Sequence, residues 1–159
     1  MINGAKHCAS YRVYLHWYLF VSALLLLNSS CYAIDNPDAP DYIEEFKARA
    51  QVYETVIHEQ AETTQDYIKA YDGYEVFLDD ELNEAYKSLL KHLDNAQKLQ
   101  LKQSQRNWIE YRDAEFEFIT DNWNRQNFGS SAALSRGAYR TTIIKNRILV
   151  LLSYLMNYE

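Results

Sequence analysis

The chain is short of the residues that break or staple a fold. Four glycines and two prolines make 6 of its 159 residues, and both prolines, Pro37 and Pro40, come before the periodic part of the sequence. Average usage of the pair is roughly 12%, so a turn-rich sandwich or barrel is disfavoured and helices are the expected class. There is no basic excess: 16 Lys and Arg stand against 22 Asp and Glu, a net charge of −6. Nonspecific nucleic-acid binding draws on counterion release by a basic surface, which this chain lacks. With 24% charged and 48% hydrophobic residues the composition is that of a packed globular domain, not of a disordered chain. Cysteine is scarce, at two residues.

Both cysteines, Cys8 and Cys31, lie in a distinct amino-terminal stretch. Lys6 and Arg12 are the only fully charged side chains before Asp35, and they precede the apolar run from Leu19 to Leu27. A positive start, a short apolar run and then small residues form the layout of a secretory signal peptide. Cys31 and Ala33 supply small residues at a cut after Ala33, so residues 1–33 are expected to leave and residues 34–40 to form a tether. Two other readings share the layout: a retained anchor, although the run is well short of the ~20 residues a spanning helix needs, and a lipoprotein cut before Cys31. Without the leader, 14 Lys and Arg face 22 Asp and Glu, a net charge of −8, and no cysteine remains. An exported protein with no disulfide available must hold its core by packing.

From residue 41 to 159 the pattern predicts an all-α bundle of about four helices. Asp38 or Asp41 is placed to cap a first helix with Pro40 in its first turn, and Ile43, Phe46, Ala50, Tyr53 and Ile57 share one face of it. Thr63 or Thr64 with Gln65 and Asp66 opens a second, whose stripe runs Tyr67, Tyr71, Tyr74, Leu78, Leu82, Tyr86, Leu89, Leu93, with Gly73 marking a kink or a close backbone contact. Asp94 caps a third, with Leu101, Gln105, Trp108, Arg112, Phe116 and Ile119 on one face. A guanidinium in that row calls for a carboxylate, and Asp79 and Asp113 are the candidates. Residues 121–131 read as a loop, and the last helix runs from about Ala132 to Met156 with Leu134, Ala138, Thr141, Ile148, Leu151, Leu152 and Leu155 inward.

Catalytic signatures are absent. Beyond the leader there are two histidines, His58 and His92, and no thiol, and no Gly-rich phosphate loop, Gly-x-Ser-x-Gly or His-Glu-x-x-His occurs. Glu54, His58 and Glu62 are four apart, a spacing open both to a metal and to a solvated helix face. The expectation is no enzyme, no cofactor and no metal.

Three segments resemble those of the LprI-type lysozyme inhibitor domain family: Thr64-Gln65, then Asp79 to Tyr86 with its Leu82-Asn83 pair, then Gln105 to Glu115 containing Trp108, Tyr111, Arg112 and Asp113. Gly129-Ser130-Ser131 is similar to a glycine-containing turn of the family, and Arg147 stands where a Thr-x-x-Arg is usual, with Ile144 in place of the threonine. The likeness spans roughly residues 58 to 155. It implies an exported, periplasmic helical domain that binds a lysozyme and covers its active cleft, or an envelope protein-binding module of the same fold that does not inhibit. A cationic lysozyme suits a chain of net charge −8.

Family members usually carry cysteines, and Tyr71, Phe116 and Tyr139 stand at three of those places, where their rings are expected to pack inside the bundle. Leu82, Tyr86, Trp108 and Tyr111 read more readily as core, and Asp79, Asn83, Gln105, Arg112 and Asp113 as structural polar residues, than as a binding surface. A partner surface is sought instead at the loop bearing Trp123, Arg125 and Phe128, whose rings either anchor an interface or fold back to close the bundle end.

Overall fold

Every long helix except the last starts at a residue whose side chain takes up a free backbone N–H. The computed structural model describes residues 40–158; the leader, the cut after Ala33 and the tether up to Ala39 lie outside them. Asp41 accepts the Glu44 N–H at 3.0 Å and opens α1, Tyr42–Thr55. Pro40 therefore precedes the cap instead of sitting in the first turn. Thr63 and Asp66 exchange backbone hydrogen bonds of 3.2 and 3.0 Å at the start of α2, Thr64–His92. Asp94 and Gln97 do the same, at 2.8 and 2.9 Å, before α3, Asn95–Asn122. Such caps satisfy donors that the helix itself leaves unpaired.

Between α1 and α2 the chain widens into one π turn, Val56–Gln60, closed by the Ala61 N–H on the Val56 carbonyl at 3.0 Å. The expected loop 121–131 is shorter than its composition implied. Helix α3 runs on to Asn122, and Asn124 caps a single turn, α4, Arg125–Phe128, by accepting the Asn127 N–H at 3.0 Å. Gly129 ends that turn at φ +59° and ψ −138°, a conformation open essentially to glycine alone. Helix α5, Ser131–Leu155, follows and closes in a 3₁₀ turn, Met156–Tyr158. No strand occurs among the described residues, and the all-α class and the four long helices expected from the sequence are what the chain adopts.

Helices α2 and α5 form the spine. Tyr74, Leu78, Leu82, Ala85 and Leu89 of α2 meet Ile144, Ile148, Leu151, Leu152 and Leu155 of α5 in one core that also takes Phe46 and Ala50 of α1, Ile57 and Leu101. Fully burying a large aliphatic or aromatic side chain stabilises by about 1.5–3 kcal/mol. In a chain without cysteine after Cys31 this core replaces covalent staples. Tyr53 and Phe77 stack at 4.4 Å between ring centroids, and Arg49 forks onto Glu81 at 2.7 and 2.8 Å, tying α1 to α2. Helix α3 packs on α5 and scarcely approaches the α2 backbone, which leaves a furrow between α2 and α3. Gly73 is not a close backbone contact: α2 continues unbroken through it, and a Cβ there would meet nothing within 4 Å.

Candidate functional site

The furrow between α2 and α3 gathers most of the family-like residues. Asp79, Leu82, Asn83 and Tyr86 repeat at three and four along α2, and Gln105, Trp108 and Arg112 do so along α3, so each set lines one helix face. Together with Lys102, Arg106 and Ile109 they enclose about 390 Å³. Leu82 is buried at its floor, Tyr86 and Trp108 are half-buried in its walls, and Asn83 is exposed with its amide donating to the Asp79 carbonyl at 2.8 Å. Asp113 and Tyr111 lie outside it. Tyr111, expected in the core, is 52% exposed. Three residues beyond Trp108, it is rotated by about 60° from the face that α5 covers.

The guanidinium that fastens α3 to α5 comes from Arg147. It donates to Gln105 Oε1 at 3.0 Å and Ser104 Oγ at 3.2 Å and lies 5.9 Å from the Trp108 ring centroid. Burial draws its pKa below the ordinary arginine value. Arg112 lies 5.5 Å from the same ring, and its carboxylate is the adjacent Asp113 at 2.7 Å; Asp79 makes no ion pair with it. Trp108 thus has two guanidinium groups within 6 Å of its ring centroid, contacts worth about 0.5–2 kcal/mol each.

At the end of the bundle where α3 turns into α5, four rings form a contiguous surface. Trp123 lies 4.4 Å from Tyr139, 6.1 Å from Phe118 and 6.4 Å from Phe128, centroid to centroid. Trp123 itself is half-buried, whereas Phe118, Phe128 and Tyr139 are 57%, 45% and 47% exposed. Arg136 anchors the bend by donating to the Trp123 carbonyl at 2.7 Å. Arg125 is exposed in the same turn and has no ion-pair partner among the described residues. The two outcomes weighed for this loop therefore coexist: Trp123 folds back, and Phe128 stays open.

The three rings expected to fill the bundle interior take different positions. Tyr71 packs against the core and lies beside Gly137 of α5. Phe116 also packs against the core, beneath Arg140 at 4.9 Å and Arg112 at 5.8 Å. Tyr139 does not enter; it belongs to the surface cluster around Trp123, because its neighbours Ala138 and Thr141 take the inward face of α5. Near Phe116, burial pushes the Glu75 carboxyl above its ordinary pKa against the opposing pull of Arg140.

Glu54 sits over a shallow recess bounded by Ile57, Tyr71, Thr141 and His58. It takes Lys145 Nζ at 2.6 Å and the Tyr74 hydroxyl at 2.7 Å. Among the described residues no group of three His, Cys, Asp or Glu side chains converges to hold a metal. Glu54 is answered by an ammonium. No helix among those residues is long and apolar enough to cross a membrane.

Phe118, Lys145 and the furrow's Lys102 were not among the expected site residues, and Arg106 and Ile109 entered only as members of the family-like segment 105–115. Lys102, Gln105, Ile109 and Arg112 are spaced three, four and three apart and share one face, a row offset by one residue from the stripe that begins at Leu101. Lys145 neighbours the inward Thr141 and Ile148 and was passed over because it is charged.

No curated protein and no solved structure matches the chain. The family model described as "Lysozyme inhibitor LprI" matches residues 57–151, which takes in the furrow, the aromatic bend and most of α5. The chain belongs to the LprI lysozyme inhibitor family.

Proposed function

We propose that this is an exported protein that binds a cationic lysozyme and stops it by covering the active cleft with the aromatic bend between α3 and α5. The observation that carries the reading is the exposed ring cluster of Phe118, Phe128 and Tyr139 around Trp123. Large rigid rings bring contact area at low entropic cost, and aromatic and arginine side chains dominate interface hot spots. Arg125 adds a free guanidinium beside those rings. Most glycoside hydrolases flank the scissile bond with two carboxylates, so a cation on an aromatic surface complements such a cleft. Membership of an inhibitor family supports the reading, and a net charge of −8 after residue 33 would steer a basic partner.

The chain, expressed from Met1 and recovered from the periplasmic fraction, is expected to begin at Ile34 and to slow cell-wall hydrolysis by a basic lysozyme, less so at high salt. The Phe118→Ala, Phe128→Ala double variant should keep its melting temperature and weaken binding by on the order of tenfold or more. Failure to bind any lysozyme at low salt would sink the reading. Binding without inhibition would favour an envelope-binding module of the same fold.

A further inference from the structure

The furrow between α2 and α3 has a charge opposite to that of the molecule. Residues 34–159 carry −8, yet the furrow wall holds Lys102, Arg106 and Arg112 against one carboxylate, Asp79. Arg112 is already neutralised by Asp113 at 2.7 Å. Lys102 and Arg106 are not: neither has a hydrogen-bond or ion-pair partner among the described residues, despite an acidic chain around them. They are four residues apart on one face of α3, a spacing that brings their charged ends toward a common ligand. The remaining wall is apolar, with Leu82 below, the Trp108 ring beside it and Ile109 at the lip, 38% exposed. Gln105, whose carbonyl is taken by Arg147, keeps its amide N–H groups free to donate, and the Tyr86 hydroxyl is also unengaged.

We infer that this furrow binds a carboxylate ligand with an apolar body, the free C-terminal residue of a short peptide, its carboxylate between Lys102 and Arg106 and its side chain against Trp108 and Ile109. The volume of about 390 Å³ lies at the small end of the range for ligand pockets, roughly 300–1,000 Å³, which suits one or two residues. The furrow shares no lining residue with the aromatic bend, so the two sites are separate. It rests on the furrow's own geometry and charge, and stands or falls independently of lysozyme binding.

Calorimetric titration of the full chain with N-acetyl-phenylalanine as its carboxylate, and with the corresponding amide, separates charge from shape. The carboxylate should bind on the order of tenfold more tightly than the amide. The Lys102→Gln, Arg106→Gln double variant, altered only at exposed positions, should keep its helical signal and melting temperature and lose that preference. Asp79→Asn should tighten carboxylate binding by removing the one opposing charge. Equal affinity for acid and amide, a preference surviving in the double variant, or no binding of the acid at millimolar concentration would each overturn the assignment.

Discussion

Tyr71 of α2 meets α5 at Gly137, and the glycine is what makes room for the ring. A Cβ at position 137 would stand 2.6 Å from Cδ2 and 2.7 Å from Cβ of Tyr71, distances real Cβ atoms do not adopt. The atoms met are at the root of the side chain, which cannot swing away without moving the helix. Glycine within a helix costs about 1 kcal/mol relative to alanine. Here that cost is offset by the approach of the two spine helices.

Gly137→Ala is accordingly expected to destabilise the protein by about 1–2 kcal/mol, overpacking of about 1–3 kcal/mol outweighing the gain in helix propensity. In a Tyr71→Ala background the same substitution should reverse sign and stabilise by up to roughly 1 kcal/mol. Urea denaturation of the four proteins measures the cycle. Stabilisation by Gly137→Ala alone would remove the contact from the account.

Arg147 joins α5 to α3 through a fork that lysine cannot reproduce. Arg147→Lys is expected to lose the Gln105 or the Ser104 bond and much of the stacking on Trp108, lowering stability by about 1–2 kcal/mol. Trp108 emission, read in a Trp123→Phe background of the protein beginning at Ile34, which lacks Trp17, should shift to longer wavelength as water reaches the ring. An unchanged emission maximum would count against the clasp.

Glu54 supplies a pH dependence with a definite sign. Burial alone would raise its pKa, but the hydrogen bonds from Lys145 and Tyr74 outweigh it and hold the carboxyl below its ordinary value of 4.5. A carboxyl depressed in the folded state contributes stability that is complete above its unfolded pKa and is lost as pH falls through the folded one. The melting temperature should therefore fall as the solution is acidified below about pH 5. Glu54→Gln, which leaves Lys145 without its counter-charge, should be less stable at pH 7 by about 1–3 kcal/mol, with the difference shrinking in acid. A difference between the two proteins that stays constant from pH 7 into acid would show that the ion pair does not carry it.

Much of the fold was legible because its signals are local. Thr63 with Asp66 and Asp94 with Gln97 satisfy donors within three residues, so the starts of α2 and α3 follow from composition at those positions alone. The stripes Phe46, Ala50, Ile57 and Leu78, Leu82, Leu89 are inward as their spacing requires. The bend was legible as an aromatic segment, open or folded back, yet not as a cluster, since Phe118 and Tyr139 reach Trp123 from different helices.

What the sequence left open was decided mostly by a second helix. Gly73 and Gly137 are alike in sequence, but only Gly137 faces a ring on another helix. Arg112 and Arg147 both invite a partner; Arg112 found it next door in Asp113, and Arg147 reached across to Gln105. The spacing of Glu54, His58 and Glu62 was open to a metal or a solvated face, and Lys145, 91 residues away, takes the Glu54 carboxylate.

The sequence by itself determined the family to which the chain belongs. It also determined that the chain is helical, where α2 and α3 begin and which stripe of the two spine helices turns inward. Those properties rest on bonds within one turn and on the 3.6-residue period, and need no knowledge of neighbours. Only the tertiary structure decided that family-like residues from α2 and α3 share a furrow, that its free cations oppose the charge of the whole, and that Tyr71 lies on Gly137. Such relations depend on which faces of separate helices meet, and side-chain shape across the spine, not any single stripe, sets that pairing.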